Sequence, residues 1–203
     1  MTYEDIAFPE SGYKGLVFDL DGTLVNSMPT HFKSWCIALA EQGAPGVFPE
    51  DVFYAMGGRA TEDIVAELND ELGLHLDPDA VANSKRTAFL NLLPEVQPVA
   101  PVIEFVRKNK GVVPMAIATG GTRAVAEATL EALQISDLFD TLVTADDVSA
   151  GKPDPETFLK AAHAIGVLPE ECVAFEDATP GILSAQAAGM QVITVPTPLN
   201  LLP

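Results

Sequence analysis

The stretch FDLDGTLVNS, residues 18–27, is the part of this sequence from which the fold can best be worked out. It continues the apolar run Gly15–Phe18 and ends it with two aspartates, Asp19 and Asp21, that have a single residue between them. Carboxylates this close repel each other, and burial at a strand end disfavours their charged forms. The motif therefore predicts a buried strand whose end binds something that offsets the repulsion.

Short apolar runs recur along the rest of the chain. They cover residues 115–118, 141–144, 172–175 and 192–195. They are continuous rather than alternating, as expected for parallel strands that are covered on both faces. Amphipathic segments of helical period lie among them, at 122–133, 155–165 and 180–188. Strands that alternate with helices predict an α/β fold with a doubly wound, Rossmann-like parallel sheet.

One region, residues 28–94, interrupts this alternation and shows only helical patterns. The predicted helices cover 29–42, 61–72 and 77–93. Three prolines, Pro94, Pro98 and Pro101, then indicate a hinge or linker back to the sheet. We therefore predict an α/β core domain of residues 1–27 and 95–203, with a helical cap domain of residues 28–94 inserted after the first strand.

The composition argues against several kinds of partner and location. The 203 residues carry a formal net charge of -18 at pH 7, so the surface repels nucleic acid and anionic membranes. Cys36 and Cys172 have no CxxC neighbour and are expected to be buried free thiols. The start of the chain does not resemble a signal peptide, and no apolar run is long enough to span a bilayer. These features predict a cytoplasmic protein without a nucleic-acid or membrane partner.

Four of the predicted strands are followed by polar residues that a parallel sheet would bring together. In chain order these are Asp19 and Asp21, then Thr119 and Gly120, then Lys152 in GKPDP, and finally Glu176 and Asp177. Ligands of open α/β sheets bind at the carboxyl ends of the strands. Carboxylates suit Mg²⁺, and Lys152 supplies positive charge that the acidic chain otherwise lacks.

These residue types fit phosphoryl transfer, which needs a nucleophile, a metal ion and fixed cations around the phosphate. Asp19 can attack phosphorus, and Asp21 can protonate the leaving oxygen and later activate water. Thr119 can hold phosphate oxygens at a helix start, and it can also cap that helix. Glu176 can bind the metal directly or orient another group.

The ordered set FDLDGTL, Thr119-Gly120, GKPDP and FEDATPG resembles the haloacid dehalogenase superfamily of phosphatases and mutases, over nearly the whole chain. The resemblance implies that Asp19 is the nucleophile and that Asp21 is the acid/base. It also implies that Thr119, Gly120 and Lys152 bind the phosphoryl group. The implied Mg²⁺ ligands are Asp19, Asp21 through its backbone carbonyl, Asp177, and Glu176 beside it.

Within the superfamily the chain resembles the β-phosphoglucomutase branch, especially its sugar phosphatases such as fructose-1-phosphate phosphatase. This resemblance implies substrate-binding roles for His31, Arg59 and Lys85, although a histidine or lysine on an amphipathic helix can also be merely packed or solvated. Two departures separate the chain from the mutases. Gly121 and Arg123 replace a serine and an asparagine, and Arg59 follows Gly57 by two positions, where the mutase arginine follows a glycine by three.

The departures favour a Mg²⁺-dependent phosphatase of small phosphorylated sugars or polyols. The alternative is a β-phosphoglucomutase that interconverts β-glucose 1-phosphate and glucose 6-phosphate. A third possibility is a phospho-accepting signalling receiver, which also uses an aspartate, Mg²⁺, a threonine and a lysine. The helical insertion and Asp21 argue against a receiver, which needs neither. A capped site within one chain further predicts a monomer.

Overall fold

The structure, a computed structural model, describes residues 3–56 and 59–196. The chain divides into two compact units, Met1–Asn26 with Gln97–Pro203 and Ser27–Val96, which we call the sheet unit and the helical unit. Within the described ranges, no helix has both the length and the apolar character needed to cross a membrane.

The regular elements of the described residues are seven strands and eight α-helices, together with five single turns of 3-10 helix. The strands are β1 (Gly15–Phe18), β2 (Val25–Asn26), β3 (Gln97–Pro98), β4 (Met115–Ala118), β5 (Thr141–Val143), β6 (Cys172–Glu176) and β7 (Gln191–Thr194). The helices of the helical unit are α1 (Met28–Glu41), α2 (Glu50–Ala55), α3 (Thr61–Leu72) and α4 (Pro78–Leu92). Those of the sheet unit are α5 (Ala100–Asn109), α6 (Arg123–Ala132), α7 (Glu156–Ala164) and α8 (Thr179–Ala187).

The main sheet of the sheet unit is parallel, with strand order β5-β4-β1-β6-β7. Strand β1 is central, and its residues Leu16, Val17 and Phe18 are fully buried. Continuous apolar sequence is what a strand covered on both faces requires. The predicted fold class, an α/β Rossmann-like parallel sheet, is confirmed. Because β4 and β6 flank β1, the residues that follow these three strands meet at one edge of the sheet.

In the sheet unit, the chain between β1 and β4 forms a β-ribbon and a helix that the sequence patterns did not predict. Strands β2 and β3 form a two-stranded antiparallel ribbon, in which Asn26 is paired with Gln97. Helix α5 begins directly after this ribbon, and Pro101 lies in its first turn. Proline is tolerated there because the first N–H groups of a helix have no partner within the helix. Pro101 therefore starts a helix and does not extend a linker.

The helical unit is built around the apolar faces of its helices. In α1 the side chains of Trp35 and Leu39 are buried, and the Trp35 ring meets that of Phe48 edge-on, at 5.1 Å between ring centroids. Every regular element of the described residues 27–56 and 59–96 is helical, as the sequence predicted. Helix α3 has the predicted ends, and Asp77 accepts hydrogen bonds from the first N–H groups of α4. Helix α2 has only six residues and was not predicted.

The expectation that both cysteines are buried was wrong for one of them. Cys172 is buried in β6, but Cys36 is exposed. Successive residues of a helix differ by about 100° around its axis, and the buried face of α1 contains Trp35, Ala38 and Leu39. Cys36 and Ile37 therefore point away from this core, and Ile37 is 40 % exposed.

Candidate active site

The carboxylate of Asp19 is buried at the end of β1. Its backbone N–H donates to the carbonyl of Phe175 at 2.9 Å, which extends the β1–β6 ladder by one bond. The side chain is only 6 % exposed. Its Oδ1 accepts a hydrogen bond from Lys152 Nζ at 2.6 Å. The strand thus places this carboxylate in the protein interior, where it accepts a hydrogen bond from a lysine of a loop that is distant in sequence.

A tight turn follows Asp19 and brings the first motif against Asp177. The N–H of Gly22 donates to the carbonyl of Val25 at 2.8 Å. Gly22 has φ +99°, and a Cβ on it would lie 2.2 Å from Asp177 Oδ2. Only glycine fits such a position, on both conformational and steric grounds. Thr23, the next residue, donates from Oγ1 to Asp177 Oδ1 at 3.2 Å.

Lys152 and Glu176 form a buried ion pair beside Asp19. Lys152 Nζ lies 2.7 Å from Glu176 Oε1, and the other carboxylate oxygen of Glu176 accepts from the N–H of Ala178 at 2.7 Å. A Cβ on Gly181, in the first turn of α8, would lie 1.5 Å from Glu176 Oε1. Glu176 is therefore held on three sides, and it fixes the ammonium group of Lys152 next to Asp19.

The titration behaviour of these groups reflects their burial. Burial raises the pKa of Asp19 to about 7: the charge of Lys152 opposes this shift, and the charges of Glu176 and Asp21 add to it. The pKa of Asp177 is raised well above its usual range by burial and by the charges of Glu176 and Asp19. Burial alone would lower the pKa of Lys152, but Asp19 and Glu176 outweigh it and raise that pKa.

The residues present fit a divalent cation. One carboxylate oxygen from each of Asp19, Glu176 and Asp177 lies within 4.8 Å of the others. Three carboxylates beside one lysine leave an excess of negative charge. Together with burial, this charge raises the pKa values of Asp19 and Asp177. Oxygen donors in a small acidic cluster are the ligands that Mg²⁺ prefers.

The loop after β4 lies next to the first motif. Thr119 is 1 % exposed, and its Oγ1 accepts from the N–H of Gly121 at 3.0 Å. The position that a Cβ on Gly121 would occupy is 3.4 Å from Thr119 Oγ1 and 3.7 Å from Asp21 Oδ2. The side chains of Asp21 and Thr119 therefore both lie beside this glycine. Thr119 does not cap α6, whose N-cap residue is Thr122, while Gly120 is exposed.

Arg123, one of the two departures from the mutase pattern, is engaged in contacts within the sheet unit. Its guanidinium lies 2.6 Å from Asp147 Oδ2 and 3.4 Å from Glu127 Oε1, and it also donates to the carbonyl of Leu142 at 3.2 Å. These contacts hold the start of α6 against the end of β5. Arg123 therefore has a structural role in the sheet unit.

The predicted substrate-binding residues of the helical unit lie on separate elements. His31 is buried in α1 and stacks on Phe89 at 4.0 Å between ring centroids. The ammonium of Lys85, in α4, lies 5.7 Å from the ring centre of Trp35. Arg59 forms an ion pair with Glu67 at 2.6 Å. Gly57 and Gly58, on which the register of the Arg59 loop depends, lie outside the described residues.

Sequence reasoning missed two groups that organise the site. Thr23 holds Asp177, and the backbone N–H of Ala178 holds Glu176. Thr23 belongs to the quoted DGT motif, and its hydroxyl was a signal that could have been used. A backbone N–H carries no sequence signal, because any residue except proline supplies one.

Comparison with known proteins places this constellation in a family. A family model described as haloacid dehalogenase-like hydrolase matches residues 13–189. The chain belongs to this family. It is 40 % identical over 184 residues to a fructose-1-phosphate phosphatase, YqaB, of Escherichia coli (strain K12), which covers 90 % of the chain and 96 % of that protein. It is 34 % identical over 202 residues to hexitol phosphatase A of the same organism, which covers 92 % of the chain and 85 % of the relative.

The fold of this haloacid dehalogenase-like hydrolase is shared with solved structures. One is a β-phosphoglucomutase from Clostridium difficile, with a TM-score of 0.77 and 21 % identity, covering 89 % of this chain and 83 % of the other. At that identity the likeness concerns the fold. The predicted superfamily is confirmed, with a β-phosphoglucomutase among the structural neighbours. The predicted enzyme class, a phosphatase of this superfamily, is confirmed by the relatives.

Proposed function

We propose that this haloacid dehalogenase-like hydrolase is a Mg²⁺-dependent phosphatase of small phosphorylated sugars or polyols, and that it acts through an aspartyl-phosphate on Asp19. The observation that carries the proposal is the buried contact between Asp19 Oδ1 and Lys152 Nζ at 2.6 Å, within an acidic cluster suited to a cation. The two E. coli relatives support the substrate class, since their names describe a fructose 1-phosphate and a hexitol phosphatase.

In the first half of the proposed reaction, Asp19 attacks the phosphorus of the substrate through a carboxylate oxygen. A bond forms between that oxygen and phosphorus, and the ester bond between phosphorus and the sugar oxygen breaks. Asp21 gives its proton to the departing sugar oxygen, which leaves as an alcohol. Glu176 holds Lys152 in place, and the loop after β4 holds Thr119. Both residues stabilise the charge on the remaining phosphoryl oxygens.

In the second half, water attacks the phosphorus of the aspartyl-phosphate. Asp21, now a carboxylate, accepts a proton from this water, and the bond between phosphorus and Asp19 breaks. Inorganic phosphate leaves, Asp19 is again a carboxylate, and Asp21 is again protonated. The position of Asp21 beside Gly121 and Thr119 suits both proton transfers, because a single carboxyl group near the phosphoryl site can serve each step in turn.

The proposed Mg²⁺ ligands are Asp19, Asp177 and the backbone carbonyl of Asp21. Bound there, the ion would offset the charge of the phosphate and of the carboxylates around it. Both oxygens of Glu176 already accept hydrogen bonds, from Lys152 and from the N–H of Ala178. Of the two roles that the sequence left open for Glu176, we therefore propose that it positions Lys152 and does not bind the metal directly.

We further propose that the helical unit acts as the cap, and that His31, Arg59 and Lys85 contact the sugar. A cap that covers the substrate keeps bulk water from competing with it and selects among sugars by shape and hydrogen bonding. Since a cap of this kind admits only small molecules, the proposal excludes protein substrates. A site completed by one chain can work as a monomer.

The test is phosphate release from a panel of sugar phosphates in the presence of Mg²⁺, with fructose 1-phosphate and β-glucose 1-phosphate side by side. Release from several, led by one, is the expected result and would rank the substrates. Formation of glucose 6-phosphate from β-glucose 1-phosphate, without phosphate release, would identify a mutase. Phosphorylation of the protein by a donor, with no turnover of any sugar phosphate, would instead fit a receiver.

A further inference from the structure

An aromatic ring lies beside the ammonium group of the candidate phosphate-binding lysine. Lys152 Nζ lies over the ring of Phe158, 5.0 Å from the ring centre. A cation at this distance is attracted by the negative face of an aromatic ring. The side chain of Lys152 is only 2 % exposed, and Phe158 is fully buried. Solvent therefore does not screen the attraction, which is strongest for desolvated cations.

The fold gives the ring of Phe158 a fixed position. Phe158 lies in α7, the helix that directly follows the GKPDP loop. It belongs to a core cluster with Ala116 and Ala118 of β4 and Ala174 of β6, whose small side chains leave room for an aromatic ring. Because such a core is closely packed, the ring cannot move away from the lysine without disturbing the sheet.

Three hydrogen bonds fix the loop that carries Lys152. The hydroxyl of Ser184, fully buried in α8, donates to the carbonyl of Asp154 at 2.5 Å. The carboxylate of Glu156, at the start of α7, accepts from the backbone N–H groups of residues 149–150 at 2.8 and 2.9 Å. The backbone on both sides of the lysine is thus tied to helices, which keeps its ammonium group at a set distance from the ring.

A neutral partner suits this ammonium group. Lys152 Nζ donates to Asp19 Oδ1 and to Glu176 Oε1. In the proposed reaction Asp19 loses its negative charge when it bonds to phosphorus, yet the lysine must stay in place to stabilise the phosphoryl oxygens. A further carboxylate would hold the lysine but would also repel the phosphate. The face of a ring attracts the ammonium group without a net charge and without requiring a particular N–H.

We propose that Phe158 is a positioning residue of the phosphatase reaction: the face of its ring holds the ammonium group of Lys152 in place for the phosphoryl oxygens while Asp19 is phosphorylated. This role depends on the proposed function, because it assumes that Lys152 binds the phosphoryl group and that Asp19 is the nucleophile. Phe158 acts through the lysine, and no contact with the substrate is assigned to it.

The experiment replaces Phe158 with phenylalanines that carry one, two or three fluorines on the ring. Fluorine withdraws negative charge from the face of the ring and weakens its attraction for a cation stepwise, while the size of the side chain changes little. The matched control is the same series at Phe105, a ring of the sheet unit that stacks on Phe8 at 4.8 Å between ring centroids. For each protein, Tm is measured, together with kcat and KM for the best sugar phosphate at saturating Mg²⁺.

We expect kcat to fall with each fluorine added at position 158, to a loss of roughly tenfold with three, while KM and Tm stay close to those of the wild type. A residue that only fills the core would not give this gradation, because packing does not depend on the charge of the ring face. The series at Phe105 should leave kcat unchanged.

Two results would overturn this inference and leave the proposed function standing. One is an unchanged kcat throughout the Phe158 series, in a protein whose wild type releases phosphate. The other is a loss of the same size in the Phe105 series, which would reflect a general effect of fluorine on the sheet unit. A wild-type protein that releases phosphate from no sugar phosphate would overturn the proposed function and this inference together.

Discussion

Lys152 Nζ lies 2.6 Å from Asp19 Oδ1 although the two residues are 133 positions apart in the chain. Both side chains are nearly inaccessible to solvent. An ion pair in such surroundings is stable only with further partners, because each charge has lost its hydration. Glu176 is that partner for the lysine. Removing any one member should therefore change both the chemistry and the stability of the site.

The first prediction concerns the proposed nucleophile. Asp19→Asn should reduce turnover of the best substrate to background, because an amide cannot form the aspartyl-phosphate. The fold should be retained, since the amide can still accept from Lys152. Phosphate release and Tm are the measurements. Asp137→Asn, at an exposed position, is the control and should behave as wild type; substantial activity in Asp19→Asn would remove Asp19 from the role of nucleophile.

The second prediction concerns the pH dependence of stability without metal. The pKa of Asp19 is about 3.9 in unfolded chains and about 7 in the folded protein. The folded state therefore binds this proton more tightly, and the resulting stability is complete below about pH 4 and is lost as pH rises through about 7. The raised pKa of Asp177 acts with the same sign. In EDTA, Tm should accordingly fall between about pH 5 and about pH 8.

Mg²⁺ provides the check on that prediction. It should raise Tm strongly at about pH 8 and little at about pH 5, because at the lower pH protons already occupy the carboxylates. Asp19→Asn should flatten the pH dependence in EDTA. Equal Mg²⁺ shifts at both pH values would show that the cation binds elsewhere.

The third prediction concerns the coupling between Lys152 and Glu176. Lys152→Ala should lower kcat by about 10²- to 10³-fold, as expected for the loss of one fixed charge at a developing anion. Glu176→Gln should also lower kcat, because the neutral amide no longer forms the ion pair that fixes the ammonium group of Lys152. The double variant should lose little more than Lys152→Ala alone, since the two residues act as a unit. Strictly multiplicative losses would mean that Glu176 has a separate role, such as binding the metal.

The fourth prediction uses the close approach of Gly181 to Glu176. In Gly181→Ala the new methyl group would overlap Glu176 Oε1, so the carboxylate must move and Lys152 with it. A displacement of this kind should lower kcat by roughly 10²-fold while the α-helix content seen by circular dichroism stays unchanged. Leu183→Ala, at an exposed position of the same helix, should leave kcat unaffected. Normal kcat in Gly181→Ala would show that the position of Glu176 does not matter.

The fifth prediction concerns the proposed role of Lys85 in binding substrate. Lys85→Met keeps the aliphatic part of the side chain and removes the charge, so KM for the sugar phosphate should rise about tenfold, equivalent to the loss of one charged contact. Arg86→Met removes a charge from the exposed neighbouring position and should leave KM as it is. Equal effects of the two substitutions would point to general electrostatic attraction instead of a contact with the substrate.

Much of the fold could be predicted because local patterns carry it. The apolar runs at 15–18 and 115–118 are strands with those ends, and the helical period at 61–72 is a helix with those ends. Helix α5 and the β2–β3 ribbon could not be predicted in the same way. Pro101 is compatible with a linker and with a first helical turn, and a ribbon of two residues on each strand is too short to produce a period.

For the candidate site, the sequence by itself determined which residue types follow which strands, and the parallel order of β4, β1 and β6 then makes Asp19, Thr119 and Asp177 neighbours. Only the tertiary structure decided that both oxygens of Glu176 are occupied by Lys152 and Ala178. The burial of the Tyr3 hydroxyl is likewise visible only in the tertiary structure. The physical reason is that the positions of the strands, and of the polar residues that follow them, are written in local hydrophobic patterns, whereas the order of the strands and the contacts between individual atoms depend on how distant segments pack together.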